Sequence, residues 1–404
     1  MKQSEKLFIF FACLCGLSIA AEYGITRPAS NSLFLTAFTS KGYPWVWLAT
    51  MPLNLLVIYL YSKFLPKIGP LKMLASVAAS AVLINVSCAF LVPYYPKLIF
   101  FHYAWKDIYI LLMFKQFWSM VHSTIEAKKA KMFYGLIFGM GTLGSILGST
   151  LPGFFASQIG TEQLLYFTLP VYLVLFSMYY LAYERSGLKT APYHQEMANP
   201  SPSEGFSMIR RSSLLTGVLL LVVLMQISVA LMEYRFNAHL ELNILEKNLR
   251  TAYMGKLIGV MNMLSGLFQF VGGYFMIHSL GVRRSHFLIP LILCCSAIVS
   301  FFIPSFAVIT FSYVLLKAID FSLFGVVREM LYIPMQLDEK FRAKAIIDVF
   351  AYRTSKAVVS LAILALQATL GAILLPAVGG VSIAIFALWM IVVSNMFKKH
   401  PIYG

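Results

Sequence analysis

Fourteen ionisable side chains interrupt long apolar stretches of this 404-residue chain, and their grouping is the first clue to chemistry. They are Glu22 and Arg27; Lys106, Asp107 and Lys115; Glu233 and Arg235; Lys317, Asp320, Arg328 and Glu329; and Asp348, Arg353 and Lys356. Charge placed in hydrocarbon costs roughly 2.5–3.5 kcal/mol per residue on insertion scales, so each needs a compensating partner, water or a ligand. Eight are cationic and six anionic, which leaves about two positive charges after full pairing. An enclosure with that surplus favours an anion, and guanidinium groups hold phosphate or carboxylate by two parallel hydrogen bonds. Arg27, Lys115, Arg235, Arg328 and Lys356, with Glu233, are therefore the candidate solute-binding residues. Glu22, Asp107, Asp320, Glu329, Asp348 and Arg353 are the candidate coupling or salt-bridge residues. The plainer alternative is helix-to-helix salt bridging, which suits Glu329 beside Arg328 and Asp320 near Lys317; Lys106 and Lys317 could also snorkel to an interface.

No catalytic constellation competes with that reading. The seven histidines are dispersed without metal-ligand spacing, and the five cysteines lie inside apolar runs as small buried residues. No cofactor and no metal are expected. Gly139-Met140-Gly141-Thr142-Leu143-Gly144 satisfies a dinucleotide fingerprint in letters only. That fingerprint requires a preceding strand, whereas here Gly144 and Gly148 extend a small-xxx-small stripe for close helix packing. A membrane-embedded enzyme would need a nucleophile or catalytic pair at the surface, and the soluble segments are too short to carry one.

The elements that must position these residues are membrane helices. The chain is 59% hydrophobic and 12% charged, with a mean hydropathy of +0.78. Its apolar runs recur at about the 20 residues needed to cross a bilayer. Twelve spans are predicted, near 7–38, 45–64, 71–92, 98–125, 132–157, 163–183, 214–240, 253–278, 285–303, 306–333, 343–372 and 374–397, the first bent at Pro28. The first 20 residues also fit a secretory leader; a retained first span is preferred because its end recurs in the second half.

Net charge is +16. About nineteen of the 32 basic residues fall in alternate short loops, from Lys2 and Lys6 through Lys63, Lys67 and Lys72 to Lys398 and Lys399. That is the positive-inside pattern, which puts both termini in the cytoplasm and removes nucleic acid as a partner. Trp45, Trp47, Tyr94, Tyr95, Trp389 and Tyr403 read as an interfacial belt, and Phe114, Phe117 and Trp118 as rings that could stack on a solute.

The chain repeats internally. Glu22-Tyr23 matches Glu233-Tyr234 at an offset of 211, Lys67-Ile68-Gly69 matches Ser279-Leu280-Gly281 at 212, and Glu126, Lys129 and Lys131 match Glu339, Arg342 and Lys344 at 213. The expected fold is an all-α membrane protein of about 12 transmembrane helices in two six-helix repeats, of the major-facilitator type. Residues 1–185 and 213–404 would form the two bundles and 186–212 a cytoplasmic linker.

Residues 324–356 resemble the nucleotide transporter (ATP/ADP translocase) family of plastids and intracellular bacteria. Arg328, Glu329, Met330, Tyr332, Ile333 and Pro334 match its Lys-Glu-Met-x-Tyr-Ile-Pro segment, with Arg for Lys. Lys344, Ala345, Asp348 and Val349 match Gly-Lys-Ala-x-x-Asp-Val, and Arg353 and Lys356 its Arg-x-x-Lys. Leu231-Met232-Glu233-Tyr234 and Phe117-Trp118 resemble further family stretches. The resemblance implies exchange or proton-coupled uptake of nucleotides, with retained cavity residues at Glu233 and Lys356. It departs where the family has Lys-Asp after the span-one arginine and this chain has Ser30-Asn31, and near Lys115-Gln116, where the family has a glutamate. The expected function is a secondary transporter of a nucleotide or related anionic metabolite, working as a monomer in a bacterial inner membrane. The alternative is proton-coupled transport of a sugar phosphate, nucleoside or carboxylate.

Overall fold

The computed structural model describes the backbone of all residues except 1–2, 126, 188–201, 334–346, 348–350 and 400–404. Side chains are described for these residues except 127–132, 202–206, 274, 277, 352 and 353. Asp348 and most of the predicted linker lie outside the described residues, as does the Arg353 side chain.

The described chain is helical, with no strand among the described residues. A backbone crossing lipid finds no water for its N–H and C=O groups, so each must be satisfied within the segment. The helices are α1 (Gln3–Phe38), α2 (Tyr43–Leu91), α3 (Ile99–Thr124), α4 (Ala127–Ile159), α5 (Thr168–Arg185), α6 (Pro202–Arg211), α7 (Ser213–Asn243) and α8 (Lys247–Leu267). They continue as α9 (Gly273–Phe302), α10 (Phe306–Ile319), α11 (Gly325–Met330), α12 (Tyr352–Leu370) and α13 (Leu374–Lys399). Among the described residues nine stretches are long and apolar enough to cross a membrane. Two of them, Ser40–Leu91 and Thr354–Lys399, run to 52 and 46 residues, enough for two crossings each. The 26 residues of α3 also reach across, at about 39 Å; its Lys106, Asp107 and Lys115 set it apart from the apolar nine. The result is the two-repeat, about twelve-span architecture expected from the sequence.

Inside the long helices the chain reverses at glycines. Gly69 has φ 79° and ψ 163°, and Gly281 has φ 73° and ψ 171°. A side chain rarely tolerates that region, so glycine is required. These two residues are the pair matched by the internal repeat, and their backbones agree within 8° in each angle. Pro28, expected to bend the first span, lies inside an uninterrupted α1. Nearby helices and hydroxyls re-satisfy the carbonyl that a proline frees in such a setting.

Two compact units are present. The first comprises Met1–Thr39, Ala49–Gln195 and Ile244–Met263; the second comprises Ser40–Leu48, Glu196–Asn243 and Leu264–Gly404. In the first, α1 lies against α3, α4 and α5 over a core that includes Phe8, Ile9, Tyr109, Leu112, Phe117 and Tyr179. Gly144 and Gly148 bring α4 onto α1 so closely that a β-carbon at either would run into the backbone of Leu17 or Ala21. The glycine stripe is thus a packing surface. Gly153 and Gly255 give the same unit an equally close α4–α8 contact.

In the second unit α7 packs on α10, α12 and α13, and α9 packs on α10 and α13. Phe236 stacks on Tyr313 with ring centroids 4.3 Å apart and planes 2° apart, and Trp389 meets Phe324 edge-on at 5.4 Å. That last contact corrects one expectation: Trp389 and Trp47 are buried, not interfacial, while Trp45, Tyr94 and Tyr95 are exposed near helix ends. Tyr403 lies outside the described residues. Leu83, Phe90, Phe101, Phe154, Phe275 and many other large apolar side chains are exposed around both units. In a water-soluble protein such surface would be an interaction patch; here it is the acyl-chain face.

Candidate functional site

In the first unit, apolar neighbours on α1, α3 and α5 draw the polar positions of these helices together in the bundle interior. Glu22 is 1% exposed, and Oε1 accepts from the hydroxyls of Thr26 at 2.6 Å and Tyr109 at 2.7 Å and from the Asn85 amide at 3.2 Å. Asn85 also reaches Thr168 at 3.2 Å and His102 at 3.0 Å, and the other nitrogen of His102 meets the Ser30 hydroxyl at 3.1 Å. One continuous network of α1, α2, α3 and α5 side chains results, buried throughout.

A second group of the same unit lies nearer the surface. Lys106 Nζ is 2.7 Å from Asp107, Tyr23 donates to the same carboxylate at 3.1 Å, and the ammonium lies 3.8 Å from the Tyr103 ring centroid. Arg27, half-buried, sits 6.0 Å from the Tyr23 ring. Further along α3, Lys115 is exposed and 5.1 Å from the Tyr61 ring, whose hydroxyl donates to Gln116; Gln116 in turn donates to Tyr179 at 3.1 Å.

The second unit has its own charged group. Glu233 and Lys317 form an ion pair at 3.0 Å with side chains 13% and 6% exposed. Three residues on, Asp320 opens a π-helical turn over Asp320–Phe324 and accepts from Gln226 on α7 at 3.2 Å through Oδ1; Oδ2 is buried without a hydrogen-bond partner. Single π turns often mark functional positions, because the extra residue re-aims the side chains that follow. Arg328 lies 3.9 Å from Glu329 and 5.8 Å from the Phe324 ring. Lys356 Nζ sits 4.7 Å from the centroid of the Trp47 ring. A cation over an indole face is held without being neutralised, so it keeps its charge for another partner.

Arg235 departs from the group it was expected to join. Its guanidinium donates to the Ser300 hydroxyl at 2.9 Å and the Ser300 carbonyl at 2.5 Å, and a β-carbon at Gly379 would lie 3.3 Å from its Cζ. Ser300 is in the last turn of α9, where exposed carbonyls attract a cation. Arg235 therefore ties α7 to the end of α9. Phe117 is likewise core, fully buried, and Trp118 is occupied by Phe138 at 4.7 Å and His122 at 5.5 Å. Neither ring is presented for stacking as the sequence suggested.

The sequence located the charges but missed the neutral groups that hold them: Asn85, His102, Tyr109 and Gln226. Amide and phenol side chains inside an apolar helix carry no periodic signal. His102, one turn before Lys106, was the single hint.

Comparison with known proteins follows the same lines. Residues 119–352 match the Major Facilitator Superfamily model, and residues 305–400 match that of the TLC ATP/ADP transporter. ADP,ATP carrier protein 1 of Chlamydia pneumoniae is 26% identical over 344 residues, which is 73% of this chain and 65% of that protein. The carrier of the same name from Rickettsia bellii is 23% identical, over 74% of this chain and 67% of its own. The match thus spans roughly two thirds of the length of these relatives. Among solved structures, the nucleoside transporter NupG superposes with a TM-score of 0.65 at 12% identity, covering 97% of this chain and 99% of that one. The POT family transporter PepTSo does so with a TM-score of 0.69 at 11% identity and 99% coverage of both. These likenesses establish a shared fold.

Proposed function

Because the chain belongs to the Major Facilitator Superfamily and is a divergent relative of the TLC ATP/ADP transporters, we propose that it is a secondary transporter of a nucleotide or closely related anionic metabolite, working by alternating access. The observation that carries this reading is the overlap of sequence and chemistry in 305–400. The stretch that matches the nucleotide transporters contains Arg328, a half-buried guanidinium, and Lys356, whose ammonium rests on an indole instead of a carboxylate. Relatives named ADP,ATP carriers support ATP or ADP as first solutes to test. In this scheme Arg328 and Lys356 of the second unit contact phosphate oxygens, and Arg27 and Lys115 are the cations that the first unit offers to an anion. Glu233 holds Lys317 until a solute competes for it, and Arg235 serves as scaffold. Arg353 and Asp348 would complete the set on the eleventh span. The protein would lie in a bacterial inner membrane with both termini cytoplasmic.

Uptake of labelled ATP and ADP by proteoliposomes tests the assignment. Lys356→Ala should raise KM by about 10- to 100-fold, the equivalent of losing about 1.5–3 kcal/mol of hydrogen bonding to a charged group. Flat uptake of every nucleotide, with Lys356→Ala equal to wild type, would defeat it.

A second reading keeps the mechanism and changes the solute to a sugar phosphate, nucleoside or carboxylate. It is favoured by Ser30 and Asn31, both buried, with Ser30 bound to His102. Where the nucleotide transporters place a lysine, this chain offers no cation.

A further inference from the structure

Lys256 stands near the start of the eighth predicted span, outside the set of ionisable residues placed above. It is exposed on α8, and its side chain crosses to α4 within the first unit. Its Cγ lies against Gly153, 3.3 Å from where a β-carbon there would be, and its ammonium sits 5.4 Å from the centroid of the Phe154 ring. Among the described residues no Asp or Glu pairs with it. The ring steadies the ammonium and leaves its charge available.

The two helices around it run antiparallel. Thr161, just beyond α4, meets Asn248 and Thr251 near the start of α8, and Ser145 of α4 meets Asn262 at 2.7 Å further along. Between these points Gly153 and Gly255 close the seam. The outer side of the seam is graded. Toward the start of α8, Ser157 and Gln158 are exposed on α4 about one turn beyond Phe154, and Tyr253 is half-buried one turn before Lys256. In the other direction the exposed side chains are apolar: Leu147 and Leu143 on α4, and Val260, Met263 and Leu267 on α8. Thr150, exposed between them, turns its hydroxyl back onto the Leu147 carbonyl at 2.6 Å. From Lys256 to Leu267 is about 16 Å of helix, half of a hydrocarbon core of roughly 30 Å. From Lys256 to the reversal at Gly281 is about 37 Å. Lys256 therefore stands where acyl chains give way to headgroups, and a helical side chain tilts toward the helix start, here the polar end.

A strip with a cation at that boundary, polar groups to one side and an apolar track of acyl length to the other has the layout of a phospholipid. A zwitterionic headgroup carries its own cation beside the phosphate, whereas a net-negative headgroup leaves its charge to be met by the protein. We propose that a phospholipid with a net-negative headgroup sits along the α4–α8 seam, its phosphate on Lys256 and an acyl chain along Leu147, Val260, Met263 and Leu267. The ammonium serves as a point charge for the phosphate, and Phe154 keeps it at the seam instead of free in the headgroup layer. The lipid spans both helices, so it adds contact to a junction that otherwise rests on a close glycine fit and a few hydroxyl and amide bonds. Anionic lipid thereby strengthens the hold of α4 on the start of α8. The site needs a bilayer and no particular solute, so it goes beyond the transport reading and can fail without it.

The test places the full chain in nanodiscs of phosphatidylcholine, with or without phosphatidylglycerol, and reads retained lipid by native mass spectrometry and the unfolding temperature by fluorimetry. Wild type should retain phosphatidylglycerol in preference to phosphatidylcholine and unfold at a higher temperature in the mixed bilayer. Lys256→Gln should lower that retention by about fivefold, the share of one basic residue near an anionic surface, and shrink the thermal gain. Lys256→Arg should keep both. Lys97→Gln removes an exposed charge between α2 and α3, outside the seam, and should match wild type; it separates a site from general attraction to a chain of net charge +16. Equal retention of the two lipids by wild type, or equal retention by wild type and Lys256→Gln, overturns the proposal, and so does an equal loss in Lys97→Gln. Inorganic phosphate that stabilises the protein in pure phosphatidylcholine, and does so only with Lys256 present, makes the ligand a free phosphate and overturns the lipid. Where Lys256→Gln fails to fold, Phe154→Leu decides: a loss of retention supports the site, and wild-type retention overturns it. Nucleotide uptake is read separately, so failure here leaves the proposed function standing.

Discussion

Lys106 and Lys317 stand at matching positions and settle on different carboxylates, and the reason is local. In the first repeat the acid is the adjacent residue, Asp107, within 2.7 Å of Nζ, with Tyr23 as a second donor. In the second it has moved three residues on, into a π turn that aims Asp320 at Gln226 of α7. Lys317 is then nearer Glu233. That pair is almost dry, so each partner depends on the other: removing one leaves an uncompensated buried charge, which typically costs about 3–5 kcal/mol. Lys317→Met alone should lower the unfolding temperature sharply, whereas Lys317→Met with Glu233→Gln should recover most of the loss, measured by scanning fluorimetry in detergent. A single substitution as mild as the double would show that the ion pair contributes little. The identity of Glu22, Glu233 and Lys317 as costly residues was legible from the sequence. Their partners were not, because Asn85 and Tyr109 are brought to Glu22, and Lys317 to Glu233, from distant segments by packing.

At the scale of helices, close approach is set by glycine and not by charge. Gly144 and Gly148 face α1 one turn apart, and Gly24 of α1 faces back toward Ser145 and Ser149. Without a hydrophobic drive between helices in lipid, this van der Waals fit is what holds α1 beside α4. Any side chain at Gly148 must push against the backbone of Ala21, the residue before Glu22. Gly148→Leu should cost about 1–3 kcal/mol, the range for over-packing, and should do so without altering the charge of the site. A fall in unfolding temperature is the expected result; an unchanged one would mean that the α1–α4 contact is looser than described. The small-xxx-small spacing announced this surface in the sequence, although not which helix it would meet. The helix continues through Pro28, which restricts the chain locally without ending α1.

For the whole molecule, the alternation of basic loops predicts a topology that the fold itself leaves open. A reporter fused after Lys399 should behave as cytoplasmic: a fluorescent protein there should fluoresce, and an alkaline phosphatase there should be inactive. The reverse pattern would overturn the orientation read from the basic loops. Within the first unit, one end is tied by polar contacts. Lys247 meets Glu162 at 2.5 Å, Thr161 meets Asn248 at 2.7 Å, and the buried Arg250 spans to the Ser32 carbonyl and the Thr36 hydroxyl. The loop charges predict that this end faces the exterior. The start of α8, a segment of the second repeat, is thereby joined to helices of the first.

The sequence alone determined the solvent of this protein, the number and length of its spans, the doubling of a six-helix unit and the inventory of charges placed in lipid. Those follow from composition and period, since every backbone group in a bilayer must be satisfied within its own segment and every charge there needs a reason. Only the tertiary structure decided which of those charges are paired. It placed Arg235 on the end of α9, gave Lys317 to Glu233, set Lys356 over an indole and left Glu22 and Asp320 to neutral donors. Partnership depends on which side chains a packed bundle brings within hydrogen-bonding reach, and Asn85 and Tyr109 reach Glu22 through folding, not through spacing.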